Sequence, residues 1–294
     1  MSHRGAHRFA AALSICAIAL ASGCSGGNDD VTAAPDEFSA TFEVDRVLSV
    51  VAGQDQAWVL AEVDGGAAVS RVDHTGRLTE VARLTGQRHE MAPYGDGVVV
   101  ARAACGGDDC EDTVAEVRVM DRVGDVVVEE EVARGEGAPY CESATCDSVS
   151  ILGVDGDEVW LETSDILPFD ERFVSWNPET GRTGTGRPPE GGADWHPEPS
   201  RRIDYDAYQR PPSLEVAPEP VTAGRDGQVF VLESAGIIRR YVGLEAQETI
   251  DVPADVFFQP FDSTRPLFFD RGSSVVVGCI QQGWPGSECW IGSV

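Results

Sequence analysis

Three histidines lie beyond the amino-terminal apolar stretch: His74, His89 and His196. Imidazole is the side chain most readily used as a general base or metal ligand near neutral pH. His74 falls in the turn sequence "VDHTGR", His89 precedes Glu90, and His196 lies in "GADWHPEPSRRIDYDAY". No two of them have the H-x-x-x-H spacing that puts two ligands on one helix face. The G-x-S-x-G nucleophile elbow is missing, although a Ser-His-Asp set can also be assembled from residues distant in sequence. Acidic clusters offer hard oxygen ligands of the kind calcium takes. They are Asp155, Asp157 and Glu158, and Asp108, Asp109, Glu111 and Asp112. The D-x-[DN]-x-[DN]-G calcium loop is absent, and Asp also serves turns through backbone hydrogen bonds. The expectation is no metal and no cofactor.

All 22 basic residues are arginine; the sequence contains no lysine. That removes the Walker A loop, Schiff-base chemistry and a Ser-Lys acyl transferase by residue type alone. Against the arginines stand 50 acidic residues, a net charge of −28. A surface this acidic repels nucleic acid and anionic lipid headgroups, so no nucleic-acid partner is expected.

The first 23 residues read as an export signal. His3, Arg4, His7 and Arg8 give a basic start, Phe9 to Leu20 is apolar, and Ala21, Ser22 and Gly23 are small. The apolar run is shorter than the roughly 20 residues that span a bilayer. "ALASGC" resembles the lipobox of bacterial lipoproteins, with Ala21 where that family usually has Leu. The resemblance implies cleavage after Gly23 and lipid on Cys24, hence a membrane partner reached through the anchor and a place on the extracytoplasmic face of the cell membrane. Residues 24–37, rich in Gly, Ser and Asp, then read as a flexible tether, and 38–294 as the folded domain.

Six cysteines remain: Cys105, Cys110, Cys141, Cys146, Cys279 and Cys289. An even number in an exported chain reads as disulfides, with 15 possible connectivities. Proximity favours 105–110, 141–146 and 279–289. None of these pairs has the C-x-x-C spacing of a zinc site.

The elements that must position these groups are short apolar runs of period 2, broken by Gly, Asp, Asn and Pro. That pattern belongs to all-β sandwiches, barrels and propellers. A unit recurs. "GQDQAWVLAEVDGGAAVSRVDHTGRLTEVARL" contains strands over Ala57 to Val63, Ala68 to Val72 and Leu78 to Leu84, and turns at Asp73–Gly76. Asp121 and Gly124 repeat the Asp73–Gly76 spacing, and Asn177 takes the Asp role one residue further from its Gly. Five copies align their second strands at Trp58, Val99, Trp160, Phe230 and Val276. The pattern resembles the blades of YncE-like and WD40-like β-propellers. The resemblance implies an all-β fold, a β-propeller of five blades. The last copy stops at Val294 after its third strand. "FSATFEV", residues 38–44, alternates apolar and polar side chains and is expected to supply the missing strand beside Trp290 to Val294, closing the last blade.

Segment 187–219 interrupts this rhythm. It is rich in proline and concentrates Trp195, His196, Arg201, Arg202, Tyr205 and Tyr208. Aromatics with arginine are the types that anchor interfaces, so these six residues are the expected partner-binding set. The partner is an envelope protein or a small ligand. The functional expectation is a lipid-anchored, non-enzymatic binding or scaffolding module. The alternative is a propeller lyase or hydrolase with its site in the central channel.

Overall fold

The recurring turns are built on one carboxylate or amide. Asp73 Oδ1 accepts hydrogen bonds from Thr75 N at 2.8 Å, from the Thr75 hydroxyl and from Arg77 N at 3.2 Å. Asp121 Oδ1 does the same for Val123 N, Gly124 N and Asp125 N at 2.9–3.0 Å. Gly76 and Gly124 have φ of 78° and 94°, a left-handed conformation that a Cβ would strain. Each donates its N–H back to the aspartate carbonyl at 2.9 Å. Asn177 repeats the device in a longer turn: its Oδ1 accepts from Thr180 N and Oγ1, and its carbonyl from Gly181 N. The hydrogen bond from Thr75 holds the Asp73 carboxyl below its ordinary pKa.

The computed structural model describes residues 39–106, 112–136, 148–164, 166, 172–188, 195–197, 221–223, 228–234, 237–242, 245–251, 267–281 and 286–294. Residues Pro35–Val294 form one compact unit. The described residues contain strands and turns and no helix.

The chain opens with β1 (Ser39–Val44) and then makes a meander of β2 (Arg46–Ala52), β3 (Ala57–Val63), β4 (Gly66–Val72) and β5 (Leu78–Thr85). A second meander follows with β6 (Gln87–Tyr94), β7 (Gly97–Gly106), β8 (Asp112–Met120) and β9 (Val126–Glu136). The third comprises β10 (Ser148–Asp155), β11 (Glu158–Ser164), β12 (Phe173–Asn177) and β13 (Arg182–Thr185), with β14 (Trp195–Pro197) added beside β10. The fourth is β15 (Val221–Ala223), β16 (Gln228–Ser234), β17 (Ile237–Val242) and β18 (Glu245–Asp251). The last has only β19 (Leu267–Arg271), β20 (Val275–Gln281) and β21 (Ser287–Ser293) in sequence order, and β1 completes it. All pairings are antiparallel, and β1 lies on β21 from Ser39↔Gly292 to Val44↔Ser287. This is β-propeller architecture: sheets of the same meander repeated side by side, with the first strand of the domain closing the last sheet.

Trp58, Val99, Trp160, Phe230 and Val276, aligned from sequence, all fall on the second strand of their sheets. Strict alternation holds on β11, where buried Val159, Leu161 and Thr163 interleave with less buried residues. It fails on β3, β7 and β20, where runs of five or more residues are buried together. These three second strands have a neighbouring sheet on each face, so both sides of the pleat are covered. Burial then falls off outward, and all four residues of β13 are exposed.

The apolar clusters lie between sheets. One joins Trp58, Leu60 and Val69 of the first meander to Met91, Val98 and Met120 of the second. Another joins Val99 and Val117 to Ile151, Leu161 and Trp176 of the third. Phe230 and Ile238 pack on Phe269 and Trp290, with Phe230 and Phe269 ring centroids 4.7 Å apart. The fourth cluster packs the last sheet on the first: Phe42, Val277, Cys279 and Ile291 meet Val47, Val59, Ala61 and Val72.

Candidate functional site

Side-chain-to-backbone hydrogen bonds fasten the first strands of successive sheets to one another. Asp270, at the end of β19 and 2 % exposed, accepts from Ala52 N on β2 at 2.7 Å and from Arg271 N at 2.8 Å. Ser49 on β2 donates its hydroxyl to the Met91 carbonyl on β6 at 3.0 Å. Glu90 on β6 accepts from Ile151 N on β10 at 2.6 Å. Trp176 adds a link further out, its Nε1 donating to Glu130 of β9 at 2.9 Å. The carboxylates of Asp270 and Glu90 thus neutralise backbone donors that buried strand edges would otherwise leave unpaired.

His89, on β6, is 4 % exposed. Its Nε2 lies 3.2 Å from the Thr85 carbonyl, which can only accept, so Nε2 carries the proton. Arg102 donates to the same carbonyl at 2.6 Å and pairs with Glu116. Burial, reinforced by the charges of Arg102 and Arg118, pushes the imidazole below its ordinary pKa despite the Thr85 bond. This geometry suits a neutral, buried histidine.

Alternating strand direction sorts the connections into two ends. Within each meander, the turns after first and third strands lie at one end and those after second strands at the other. Contacts between sheets match the ends. Gln56 donates to the Arg122 carbonyl, Arg122 pairs with Asp55, and the Tyr94 hydroxyl reaches the Asp157 carbonyl. These contacts put the turns at 53–56, 121–125, 95–96 and 156–157 together. The turns within the meanders at that end have five residues or fewer, and β14 begins there with Trp195 opposite Asp155. Connections 137–147, 165–172 and 252–266 leave from the opposite end, and so do the short links at Asp45 and 282–286. Functional residues concentrate in long connections held by a rigid frame, which makes the second end the candidate surface.

At that end a groove of about 800 Å³ opens where the closing sheet and the first meander splay apart. Val44, Ala61, Val63, Ala68 and Leu78 give it an apolar floor. Asp45, at the link to β2, and Glu80 on β5 border it, while Glu43, Glu62 and Glu288 sit one residue out of phase with Phe42, Ala61 and Cys289 and face the opposite sides of their sheets. Glu62 is paired with Arg46 at 3.1 Å and Glu80 with Arg83 at 3.0 Å, both in exposed pairs. The Arg83 hydrogen bond holds the Glu80 carboxyl below its ordinary pKa. The base of the groove is pinned by Ser287, whose hydroxyl accepts from Val47 N at 3.1 Å. The volume is that of an ordinary ligand pocket.

Among the described residues, none of the sequence-predicted set lines this groove. Cys279 and Cys289 oppose one another on β20 and β21 and are joined by a disulfide, Cα atoms 4.0 Å apart. Cys105 is disulfide-bonded, while Cys110, Cys141 and Cys146 lie outside the described residues, as does Cys24. Trp195 and His196 form β14, Trp195 paired with Asp155 and His196 with Val154. That strand occupies the edge of β10 corresponding to the edges of β2, β6, β15 and β19 that pair with no other described strand. Arg201, Arg202, Tyr205 and Tyr208 lie outside the described residues. Of the acidic clusters, Asp155 opposes Glu158 across the β10–β11 hairpin and Asp112 pairs with Arg134 at 2.8 Å. Asp108, Asp109 and Glu111 are outside the described residues. Among the described residues no three His, Cys, Asp or Glu side chains are placed to hold a metal ion. Sequence reasoning missed the groove and the fastening carboxylates. "VDRV" at 44–47 and "FFDRG" at 268–272 were the available signals, each an acid at the tip of an apolar strand.

No family model and no curated protein matches the chain. Solved structures resemble it at low identity. An α-L-arabinofuranosidase, Arb93A, from Fusarium graminearum in complex with an iminosugar inhibitor is 12% identical with a TM-score of 0.43, over 85% of this chain and 96% of that one. The WD40 domain of Toxoplasma gondii coronin is 10% identical with a TM-score of 0.34, over 87% of each. A neuraminidase-like protein of subtype N11 from a flat-faced bat influenza virus is 10% identical with a TM-score of 0.29, over 84% of this chain and 71% of that one. At these scores the architecture rests on the strand order and closure described above, and the chemistry of those proteins does not transfer.

Proposed function

We propose that the chain is an exported lipoprotein, anchored through Cys24, whose five-bladed propeller is a non-enzymatic binding or scaffolding module at the outer face of the cytoplasmic membrane. The observation that carries this reading is the division of labour among the polar residues. Asp270, Glu90 and Ser49 fasten neighbouring sheets. A groove opens at the end of the strands where β1 passes into β2, between the closing sheet and the first meander. A frame held by buried bonds and a surface built from connections suit presentation of a binding face. The net charge of −28 keeps that face off anionic headgroups while the lipid holds the chain nearby.

Two measurements test the reading. Cys24→Ser moves the protein from the membrane fraction to the medium; retention in the membrane with the signal removed counts against the anchor. A photocrosslinking residue at Asp45 captures a partner in living cells, and one at Asp96, in a tight turn at the other end, does not. Capture from Asp96 alone would move the binding face to the opposite end.

A further inference from the structure

We propose that the short-turn end of the propeller rests on a zwitterionic bilayer surface, with Val123, Val126 and Val127 at the boundary between headgroups and acyl chains. The proposal rests on the reading of Cys24 as the anchor and adds which way the anchored domain faces. The large apolar side chains exposed among the described residues are these three, at 57 %, 47 % and 56 %. All belong to one stretch, the β8–β9 turn and the first two residues of β9. The turn itself does not ask for valine. In the two other turns of this kind the residue before the glycine is a threonine, Thr75 or Thr180. Its hydroxyl donates to the side-chain oxygen of Asp73 or Asn177. Val123 takes that place before Gly124 and has no hydroxyl to donate to Asp121. β9 is the outermost strand of its sheet, and the start of its pleat is exposed on both sides at Val126 and Val127.

The chain from Cys24 enters the fold at the same end. β1 runs toward Asp45 at the opposite end, so Ser39 lies among the short turns. Gly76 packs against the start of β1, where a Cβ on it would stand 3.1 Å from the Thr41 carbonyl oxygen. Gly124 packs against Val81 of β5. The start of β1, the turn at 73–76 and the valine turn therefore follow one another along one rim. A flexible chain the length of residues 24–38 spans about 20 Å, and β1 itself rises about 20 Å. The lipid can hold this rim at the bilayer with the tether relaxed. Turning the other end down stretches the tether along the full height of a strand. Three half-exposed valines fall far short of the roughly 800 Å² a side of a stable protein interface. They suit shallow insertion at a lipid surface that the anchor has already brought close. The charges select the headgroup. Asp125 is exposed beside the valines, and Arg122 in the same turn is already paired with Asp55, so anionic lipid is repelled. The long connections at the opposite end then point away from the membrane.

The test uses the lipid-bearing full chain in phosphatidylcholine vesicles whose acyl chains carry a spin-label quencher. An environment-sensitive fluorophore is attached at Val123→Cys or, for comparison, at Asp64→Cys in the exposed β3–β4 turn of the opposite end. The expected result is a protein that floats with the vesicles, a blue-shifted and quenched label at 123, and an unquenched label at 64. Val126→Thr with Val127→Thr keeps β-branched side chains on the strand. It should lower the ratio of quenched to unquenched label at 123 on the order of tenfold, from the apolar transfer of two half-exposed valines. Both positions are exposed, so the melting temperature should not change. Anionic phosphatidylglycerol in the vesicles should lower the quenching as well. A protein that floats with both labels unquenched, or equally quenched, overturns the proposal and leaves the anchor standing. So does undiminished quenching in the threonine pair. Crosslinks between copies from position 123 in place of quenching would assign the valines to a second copy of this chain and overturn it too. A protein that does not float removes the anchor reading and this proposal with it.

Discussion

Replacing Phe42 by Ala tests the closure of the fold at one side chain. Phe42 is the buried residue of β1, 8 % exposed, opposite Cys289 on β21 and packed into the cluster that joins the last sheet to the first. A phenylalanine buries about 150 Å² or more, and at about 25 cal/mol per Å² that is roughly 4 kcal/mol. The cavity left behind keeps the total in the range of about 3–5 kcal/mol seen for buried Phe→Ala changes. For a domain of this size each kcal/mol is about 2–4 °C of melting temperature, so Phe42→Ala should melt about 10 °C lower. Thr41→Ala, at an exposed position of the same strand, is the control and should melt within about 1 °C of the parent. Hydrogen exchange adds the location: amides of β21 that face β1 should lose protection before those of β7. A Phe42→Ala protein that melts with the parent would mean that β1 adds no stability to the last sheet, and the closure argument would fail.

Gly278→Val is expected to destabilise by about 1–3 kcal/mol or more by overpacking, since a Cβ there would stand 2.0 Å from the ring of Trp290, which lies across it; urea titration checks this, and a neutral result would mean that Trp290 has room to move. His89 sets a pH dependence. Its folded-state pKa is depressed, so the unfolded chain takes up a proton first, and the stability it gives is full above about pH 6.5 and lost as pH falls through the folded value. The stability gap between the parent and His89→Gln should therefore narrow, by at most about 1.4 kcal/mol per pH unit, on going from pH 7 to pH 5; a constant gap in urea midpoints would refute it. Asp270→Ala should cost about 1–3 kcal/mol, because Ala52 N–H is left buried without its 2.7 Å acceptor, and should speed exchange at Ala52 more than at Met91; equal rates at Ala52 in parent and variant would contradict the fastening role.

The architecture was legible because its signals are local. Asp73 and Asp121 with glycine three residues on, and Asn177 with Gly181, mark turns whose hydrogen bonds lie within five residues. Trp58, Val99 and Val276 stand out because their second strands, β3, β7 and β20, are covered on both faces. The closing strand was legible for the same reason: alternating Phe38 to Val44 has one face to bury, and β21 has one edge to fill. The groove was not legible. Its walls come from β1, β3, β4, β5 and β21, residues 243 positions apart such as Val44 and Ser287, and no spacing rule links them. Asp270 and Glu90 were hidden similarly, since a carboxylate that accepts from the backbone of another sheet looks in sequence like any surface acid. The residues chosen for a partner, Trp195 and His196, pair along β10; composition identified an unusual segment and could not say which edge it would join.

The groove and the closure depend on the same strand. β1 passes from the last sheet to the first through a single residue, Asp45, and Ser287 ties the start of β2 to the start of β21. Above that tie the two sheets diverge, and the face they expose is the continuation of the cluster that holds them together below it. Loosening β1 should therefore loosen both sheets at this end: exchange protection of the β21 amides that face β1 and of Val47, whose N–H the Ser287 hydroxyl accepts at 3.1 Å, should fall together across a series of Phe42→Leu, Phe42→Val and Phe42→Ala. Val47 protection that stays constant while β21 protection falls would separate the tie from the strand that closes the sheet.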